Sequence, residues 1–343
     1  MFSFFKKSGP NQASINGVPI MVNPKETLLQ AALREGIDFP NSCRVGGCAA
    51  CKCKLVDGKV KELTQTAYIL SDEDLDAGMI LACQSVPQTN VTIEVDMAAQ
   101  QARRTVSGRV VACTALTHDI VSLRIQLDDS LPYKAGQYAQ LSVDSLPGVD
   151  RSYSFATASQ PNSQVSFLVR KVPNGVFSSH VHKHDLVGQR ASVKGPMGDF
   201  WLRPSDAPLL MVAGGSGLAP VLAILEDALA QGVKRPVTIL FGARQQADLY
   251  AQDTLEALRT QWPAAFRFVP VLSAEPDGSS WAGALGNVDS ALAEHLPYGA
   301  HAYLCGPPVM VDAVSAVLRD RGIAKEQIRA DRFTTLHDST GAQ

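Results

Sequence analysis

The chain has 343 residues, 45% of them hydrophobic and 19% charged, with a formal net charge of −2. Those proportions suit a globular protein of two or three domains, and the absence of a Lys/Arg block argues against nucleic-acid binding. Apolar runs stay short of the roughly 18 residues a membrane span needs, and "MFSFFKKSGP" is too short for a signal sequence. Seven cysteines in such a chain therefore predict a cytoplasmic protein that uses thiols for metal or redox chemistry.

In chain order, "GVPIMVNPKETLLQAALREGI" reads as the end of a hairpin and an amphipathic helix, with Leu28, Leu29, Ala32 and Leu33 on one face and Gly36 as C-cap. Next comes "CRVGGCAACKCKL", in which Cys43, Cys48 and Cys51 follow a C-x4-C-x2-C spacing; Cys83 lies 32 residues further on. That is the plant-type pattern for a [2Fe–2S] cluster held by four thiolates. Gly46 and Gly47 suit a loop wrapping a cluster, because glycine tolerates positive φ. A zinc ribbon would need a second C-x2-C knuckle, which is missing. Cys53 falls in a strand-like alternation and reads as a small buried side chain. "SDEDLD" reads as a helix start with Ser71 as N-cap and Asp74 three residues later, and "NVTIEVD" as a strand. The first 98 residues resemble a plant-type ferredoxin domain.

The composition turns small and polar, then basic, in "MAAQQARRTVSGR", which places a linker at 99–104. Short β-like runs follow ("TVSGRVVAC", "IVSLRIQL", "QYAQLSV", "QVSFLVRKV", "ASVKG") and predict a small antiparallel barrel over 105–203. Within it, "RSYSFAT" supplies Arg151, Tyr153 and Ser154, and "GVFSS" supplies Gly175 and Ser178 at a helix start. An arginine makes charge-assisted contacts with phosphate, and a helix N-terminus offers free N–H groups to a diphosphate. His180 and His184 lie one turn apart on that helix; without a third ligand nearby they read as a solvated face.

From residue 204 the pattern becomes α/β. A buried strand enters Gly214-Gly215-x-Gly217-x-x-Pro220, with proline where a Rossmann turn has Gly or Ala. "VTILFGARQQADLY" is a second buried strand, and "HAYLCGPPVMVDAVSAVL" a later one ending at Cys305 and Gly306 before a helix. In an open parallel sheet, ligands sit at these carboxyl ends. Arg244 could serve a 2′-phosphate and Asp248 a ribose; Met310 reads as core.

R-x-Y-S, the later glycine–serine element, G-x-G-x-x-P and Cys-Gly-Pro are similar to motifs of the ferredoxin–NADP reductase superfamily. The whole order resembles the single-chain reductase components of bacterial oxygenases. "FFKK", "CRVGGC" and "LACQS" are nearest to the branch serving xylene monooxygenase, with the benzoate dioxygenase reductases also close. The resemblance implies a multidomain architecture: a ferredoxin-like β-grasp domain at 1–98, a FAD-binding barrel at 105–203 and an NAD-binding α/β domain at 204–343. It implies that Arg151, Tyr153, Ser154, Val169, Lys171, Gly175 and Ser178 hold FAD. Gly214, Gly215, Gly217, Pro220, Arg244, Cys305 and Gly306 are implied to hold NADH, more than NADPH. Ser154 is placed near the reactive flavin nitrogen, Cys305 near the hydride-donating carbon, and Phe333 over the flavin ring. NADH gives two electrons together and the cluster accepts one at a time, so flavin lies between them. The implied partner is a terminal oxygenase (Rieske dioxygenase, di-iron monooxygenase or cytochrome P450), the chain itself being a monomer. The alternatives are a stand-alone NAD(P)H flavoprotein reducing a quinone-like acceptor, and a redox sensor.

Overall fold

The computed structural model describes residues 9–41, 44–46, 49–64, 66, 69–70, 72–95 and 104–334. The chain divides into two compact units, Met1–Ala102 and Arg103–Gln343. Most of the expected linker lies outside the described residues.

In the first unit, β1 (Asn11–Ile15) and β2 (Val18–Val22) form an antiparallel hairpin. Its two-residue loop, Asn16-Gly17, takes positive φ at both positions, as a tight hairpin requires. Helix α1 (Leu28–Arg34) is started by a capping box: Thr27 Oγ1 accepts from Gln30 N, and Gln30 Oε1 accepts from Thr27 N. The helix buries Leu28, Leu29, Ala31 and Ala32 and ends at Glu35, with Gly36 one residue past the cap at φ +75°. Then come β3 (Lys52–Asp57), β4 (Val60–Glu62), α2 (Asp72–Asp76), β5 (Met79–Leu81), β6 (Ser85–Pro87) and β7 (Val91–Glu94). The main sheet runs β2-β1-β7-β3-β5, with β1 and β7 parallel at its centre; β4 and β6 form a separate ribbon. Ile15, Leu28, Leu29, Phe39, Leu81 and Ile93 fill the core between sheet and helix. Ser71, expected to cap α2, lies outside the described residues. Asp74 pairs with Lys52 at 2.8 Å, which ties α2 to β3.

The second unit begins with β8 (Arg104–Ala115), β9 (Ile120–Leu127), β10 (Tyr138–Val143), β11 (Arg151–Ser154) and β12 (Gln164–Arg170). Helix α3 (Val176–Lys183) and β13 (Arg190–Met197) complete this part. The six strands pair antiparallel in the order β11-β10-β13-β8-β9-β12, and a bridge from Phe155 to Phe167 joins the two edges into a near-closed barrel. Strict alternation along β10 sends Ala139, Leu141 and Val143 inward against Leu123, Phe155, Phe167 and Val193.

The rest is α/β: β14 (Leu209–Gly214), α4 (Leu218–Ala230), β15 (Val237–Ala243), α5 (Gln252–Gln261), β16 (Phe266–Leu272) and β17 (Ala284–Leu285). They are followed by α6 (Val288–His295), β18 (His301–Gly306), α7 (Pro308–Asp320) and β19 (Ile328–Arg332). All six strands are parallel, in the order β17-β16-β15-β14-β18-β19. Every residue of β14 is buried, as expected for a strand covered on both faces. The strand order reverses at β14, so the crevice beyond its carboxyl end is where such a sheet takes a ligand. Barrel residues Ile120, Ala156, Leu168 and Phe200 share one core with Leu209, Met211 and Leu222, which fixes the barrel against the sheet.

Candidate functional site

Of the four predicted cluster cysteines, Cys51 and Cys83 are described and both are buried; Cys43 and Cys48 lie outside the described residues. Cys83 N donates to Cys51 Sγ at 3.4 Å, and Gln84 Nε2 donates to Cys83 Sγ at 3.7 Å. The preceding loop coils through positive φ at Arg44, Gly46 and Ala49. Backbone of that kind turns N–H groups inward as an anion-binding concavity. A Cβ on Gly46 would sit 2.8 Å from Gln84 Cγ, so the loop closes over Gln84 only with glycine there. Two buried sulfurs, Cys51 Sγ and Cys83 Sγ, that each receive an N–H donor fit thiolate ligands of a cluster. Cys53 sits in β3 opposite Ile80 and is buried. Burial, with the Cys83 charge adding to it, pushes its thiol up to about 12, which suits a protonated core side chain.

The second site lies where the barrel meets the parallel sheet. Strand β11 carries Arg151 and Tyr153 on one face and Ser154 on the other. Arg151 is exposed and donates to Asp150 O at 2.6 Å. The Tyr153 ring lies 5.5 Å from that of Phe177, which brings β11 to the start of α3. Burial raises the Tyr153 phenol pKa, with the Arg151 charge opposing it.

Gly175 is the N-cap of α3 and uses no side chain; a Cβ there would lie 2.4 Å from both Ser178 Oγ and Val172 Cγ2. The buried Ser178 hydroxyl accepts from Val172 N and donates to Gly175 O. It therefore shapes the turn, leaving the first N–H groups of α3 to face a ligand. Val169 turns its side chain into the barrel core, and His182 Nε2 lies 3.0 Å from its carbonyl. Lys171 is exposed, with its N–H held by Asp119 O. The His180 and His184 rings lie 4.5 Å apart and tilted, His180 against Ser145 Oγ, and no metal-holding group of three appears among the described residues.

On the sheet side, β14 and β18 are in register, with Ala213 opposite Cys305. A Cβ on Gly217 would lie 2.2 Å from Cys305 O, so the turn rests directly on the β18 backbone. Pro220 is the third residue of α4 and buried, in the first turn where its missing N–H costs nothing. Met310 fills the space beside Gly214 and Gly306, so it packs as core. Cys305 is fully buried; that burial, and then the Asp331 charge, raises its pKa well above the ordinary thiol value. Phe333 follows the last paired residue of β19, donates its N–H to Gly306 O at 2.9 Å and packs against the shared core. Arg244 is exposed at the end of β15, while Asp248 accepts from Gln245 N and pairs with His118 at 3.1 Å.

Three participants escaped the sequence reading. Asp331 accepts from Ser154 Oγ at 3.5 Å, linking the end of β19 to β11. Tyr250 donates to Gly215 O at 2.8 Å and is buried. Arg170 pairs with Asp119 at 2.9 Å and lies over Gly215, within 3.4 Å of where a Cβ would stand. None belongs to a short local motif; each meets the site only through tertiary folding. Residue Arg170 alone had a signal, being a charged residue that ends an otherwise apolar strand.

A barrel whose R-x-Y-S strand abuts the carboxyl ends of a parallel sheet, preceded by a unit with clustered cysteines, defines an iron–sulfur flavoprotein oxidoreductase. Comparison with known proteins agrees. Residues 13–88 match the 2Fe-2S iron-sulfur cluster binding domain, residues 107–201 the oxidoreductase FAD-binding domain and residues 211–316 the oxidoreductase NAD-binding domain. The chain is 40% identical to the xylene/toluene monooxygenase electron transfer component of Pseudomonas putida, over 97% of this chain and 98% of that one. It is 36% identical to the phenol 2-monooxygenase reductase component of a Pseudomonas species, over 95% and 94% of the two chains. Among solved structures, the Amycolatopsis cytochrome P450 reductase superposes with a TM-score of 0.71 at 32% identity, covering 95% of this chain and 99% of that one. The chain belongs to the family of oxygenase reductase components, and its cofactors are a [2Fe–2S] cluster, FAD and a nicotinamide nucleotide. Among the described residues no helix is long and apolar enough to cross a membrane.

Proposed function

We propose that this chain oxidises NADH and delivers electrons singly to a separate terminal oxygenase, of Rieske, di-iron or P450 type. The observation that carries the reading is the approach of Ser154, on the barrel, to Asp331, at the end of the nucleotide sheet. It brings a hydroxyl and a carboxylate together where barrel and sheet meet, and Asp331 is in turn opposite Cys305 in the pairing of β18 with β19. Bound FAD and the cluster supply the conversion of a two-electron donor into one-electron steps; the protein supplies position and electrostatics.

In this reading Arg151 and the N-terminus of α3, set by Gly175 and Ser178, hold the flavin diphosphate. Tyr153 packs along the flavin. Ser154 presents its hydroxyl to the ring edge and is oriented by Asp331. Gly214, Gly215 and Gly217 let the nucleotide backbone approach β14, and Arg170 adds positive charge above Gly215. Cys305 is a neutral thiol whose burial excludes water from the nicotinamide end. Phe333 packs where nicotinamide would stack and has to yield when it enters. Cys43, Cys48, Cys51 and Cys83 hold the cluster. Domain limits of 1–98, 105–203 and 204–343 follow from the same reading.

The test compares the whole chain with a fragment starting at Arg103, in steady-state NADH oxidation with ferricyanide and with cytochrome c. The fragment should retain FAD and ferricyanide turnover and lose most cytochrome c turnover. A fragment reducing cytochrome c as fast as the whole chain would remove the ferredoxin domain from the exit path and favour a stand-alone reductase.

A further inference from the structure

Two turns leave the carboxyl edge of the nucleotide sheet side by side. After β15 the chain runs Arg244-Gln245-Gln246-Ala247-Asp248; after β16 it runs Ser273-Ala274-Glu275. They are zipped together: Ser273 N donates to Ala243 O at 3.0 Å, and Ala274 N to Arg244 O at 2.8 Å. This zipper brings the Glu275 carboxylate onto the first turn, where Oε2 accepts from Gln246 N at 2.7 Å. Asp248 Oδ2 accepts from the neighbouring Gln245 N at 3.1 Å, while its Oδ1 faces His118.

Successive backbone N–H groups at a turn beyond a parallel strand form a seat for an anion. The strand next to the glycine turn is where a doubly wound sheet receives the adenosine ribose, and the charge there decides between a 2′-hydroxyl and a 2′-phosphate. In this chain two carboxylates of the protein already occupy that seat. A phosphate arriving there meets two like charges and has no free N–H from Gln245 or Gln246 to replace its hydration. A ribose hydroxyl is a donor, and the same carboxylates can accept from it. Arg244 is the opposing element: its side chain is exposed and makes no ion pair with the described residues.

We infer that Glu275, with Asp248 beside it, is the specificity determinant that rejects NADPH and admits NADH, and that Arg244 is the cation it overrides. This rests on the NADH-oxidising reading above and assigns the residues responsible for its nucleotide choice. Asp248 is legible in the linear chain, but Glu275 reaches the first turn only through pairing between two loops distant in sequence.

The experiment measures kcat/KM for NADH and for NADPH with ferricyanide as acceptor, on the full-length holoprotein carrying FAD and cluster. The wild type should prefer NADH. Glu275→Gln should raise the ratio of NADPH to NADH efficiency by about tenfold, as one partly screened like charge is removed. Adding Arg244→Ala to Glu275→Gln should cancel that gain, because the remaining attraction for the phosphate is then gone. General damage to the fold lowers both efficiencies together and leaves the ratio in place, so the ratio isolates the specificity role. A wild type that prefers NADPH, or a Glu275→Gln ratio within about twofold of the wild type, overturns the inference and leaves the proposed function standing. Failure of the wild-type holoprotein to oxidise either nucleotide overturns the proposed function and this inference with it.

Discussion

Replacing Gly217 with alanine isolates one contact of the nucleotide turn. The added Cβ would lie 2.2 Å from Cys305 O, 2.6 Å from Cys305 C and 2.9 Å from Gly306 N. Ordinary contacts begin near 3.4 Å, so the overlap is about 1 Å. All three atoms are backbone of β18, so a rotamer change cannot relieve it. The backbone at Gly217 has φ −63°, which alanine accepts freely, and the stiffer unfolded chain returns about 0.4–1 kcal/mol. Overpacking against a rigid strand costs about 1–3 kcal/mol, so the clash wins by a modest margin. Melting should fall by only a few degrees, roughly 2–4 °C per kcal/mol for a unit of this size.

The larger effect is on function, because the turn must move off β18 by about 1 Å, and a displacement of that order costs about a hundredfold in a positioned reaction. Stopped-flow reduction of the bound flavin by NADH reads this directly, with a thermal melt of the same sample as control. Gly214→Ala is the comparison: its Cβ would meet Met310 Sδ at 2.6 Å, a flexible side chain that can withdraw. It should reduce at a rate nearer the wild type. Wild-type reduction by Gly217→Ala, or equal damage in both variants, would refute the contact argument.

Cys83→Ser should abolish the cluster's visible absorbance, whereas Cys53→Ser should keep it and cost about 1–3 kcal/mol in stability for burying a poorly partnered hydroxyl; spectra and denaturation of the two variants separate ligand from core. Arg151→Ala should weaken FAD retention by about 1.5–3 kcal/mol, read by dialysis followed by fluorimetry of released flavin. Burial raises the Glu226 carboxyl above its ordinary pKa, against a hydrogen bond from Ala158 N at 3.0 Å. A raised carboxyl pKa favours the folded state while the group is protonated, and that advantage is lost as pH rises through the folded value. Glu226→Gln should therefore melt higher than the wild type at pH 7, with the gain vanishing below about pH 4.3; a gain that persists there would contradict the assignment.

The parts of this molecule that showed in the sequence are those whose physics is local. The C-x4-C-x2-C spacing constrains a single loop, and the glycines at 214, 215 and 217 constrain a single turn. The barrel strands announced themselves by alternation, and β14 by its continuous apolar run. Where a residue works across the fold, the local pattern was silent. Val169 sits in a motif-bearing strand next to Arg170. Pleating sends Val169 into the barrel core and Arg170 out over Gly215, a difference of one residue in register that no motif encodes. The hydroxyl of Ser178 closes the turn that presents α3, a part that the signature does not state. Asp331 and Glu275 are surface-like acids in the linear chain. Each acquires its place only when parallel strands set distant carboxyl ends side by side, Asp331 opposite Cys305 and Glu275 against Gln246. A doubly wound sheet thus assembles its specificity from strand ends far apart in sequence, which is why its phosphate-binding turn is easy to read and its discriminating residues are not.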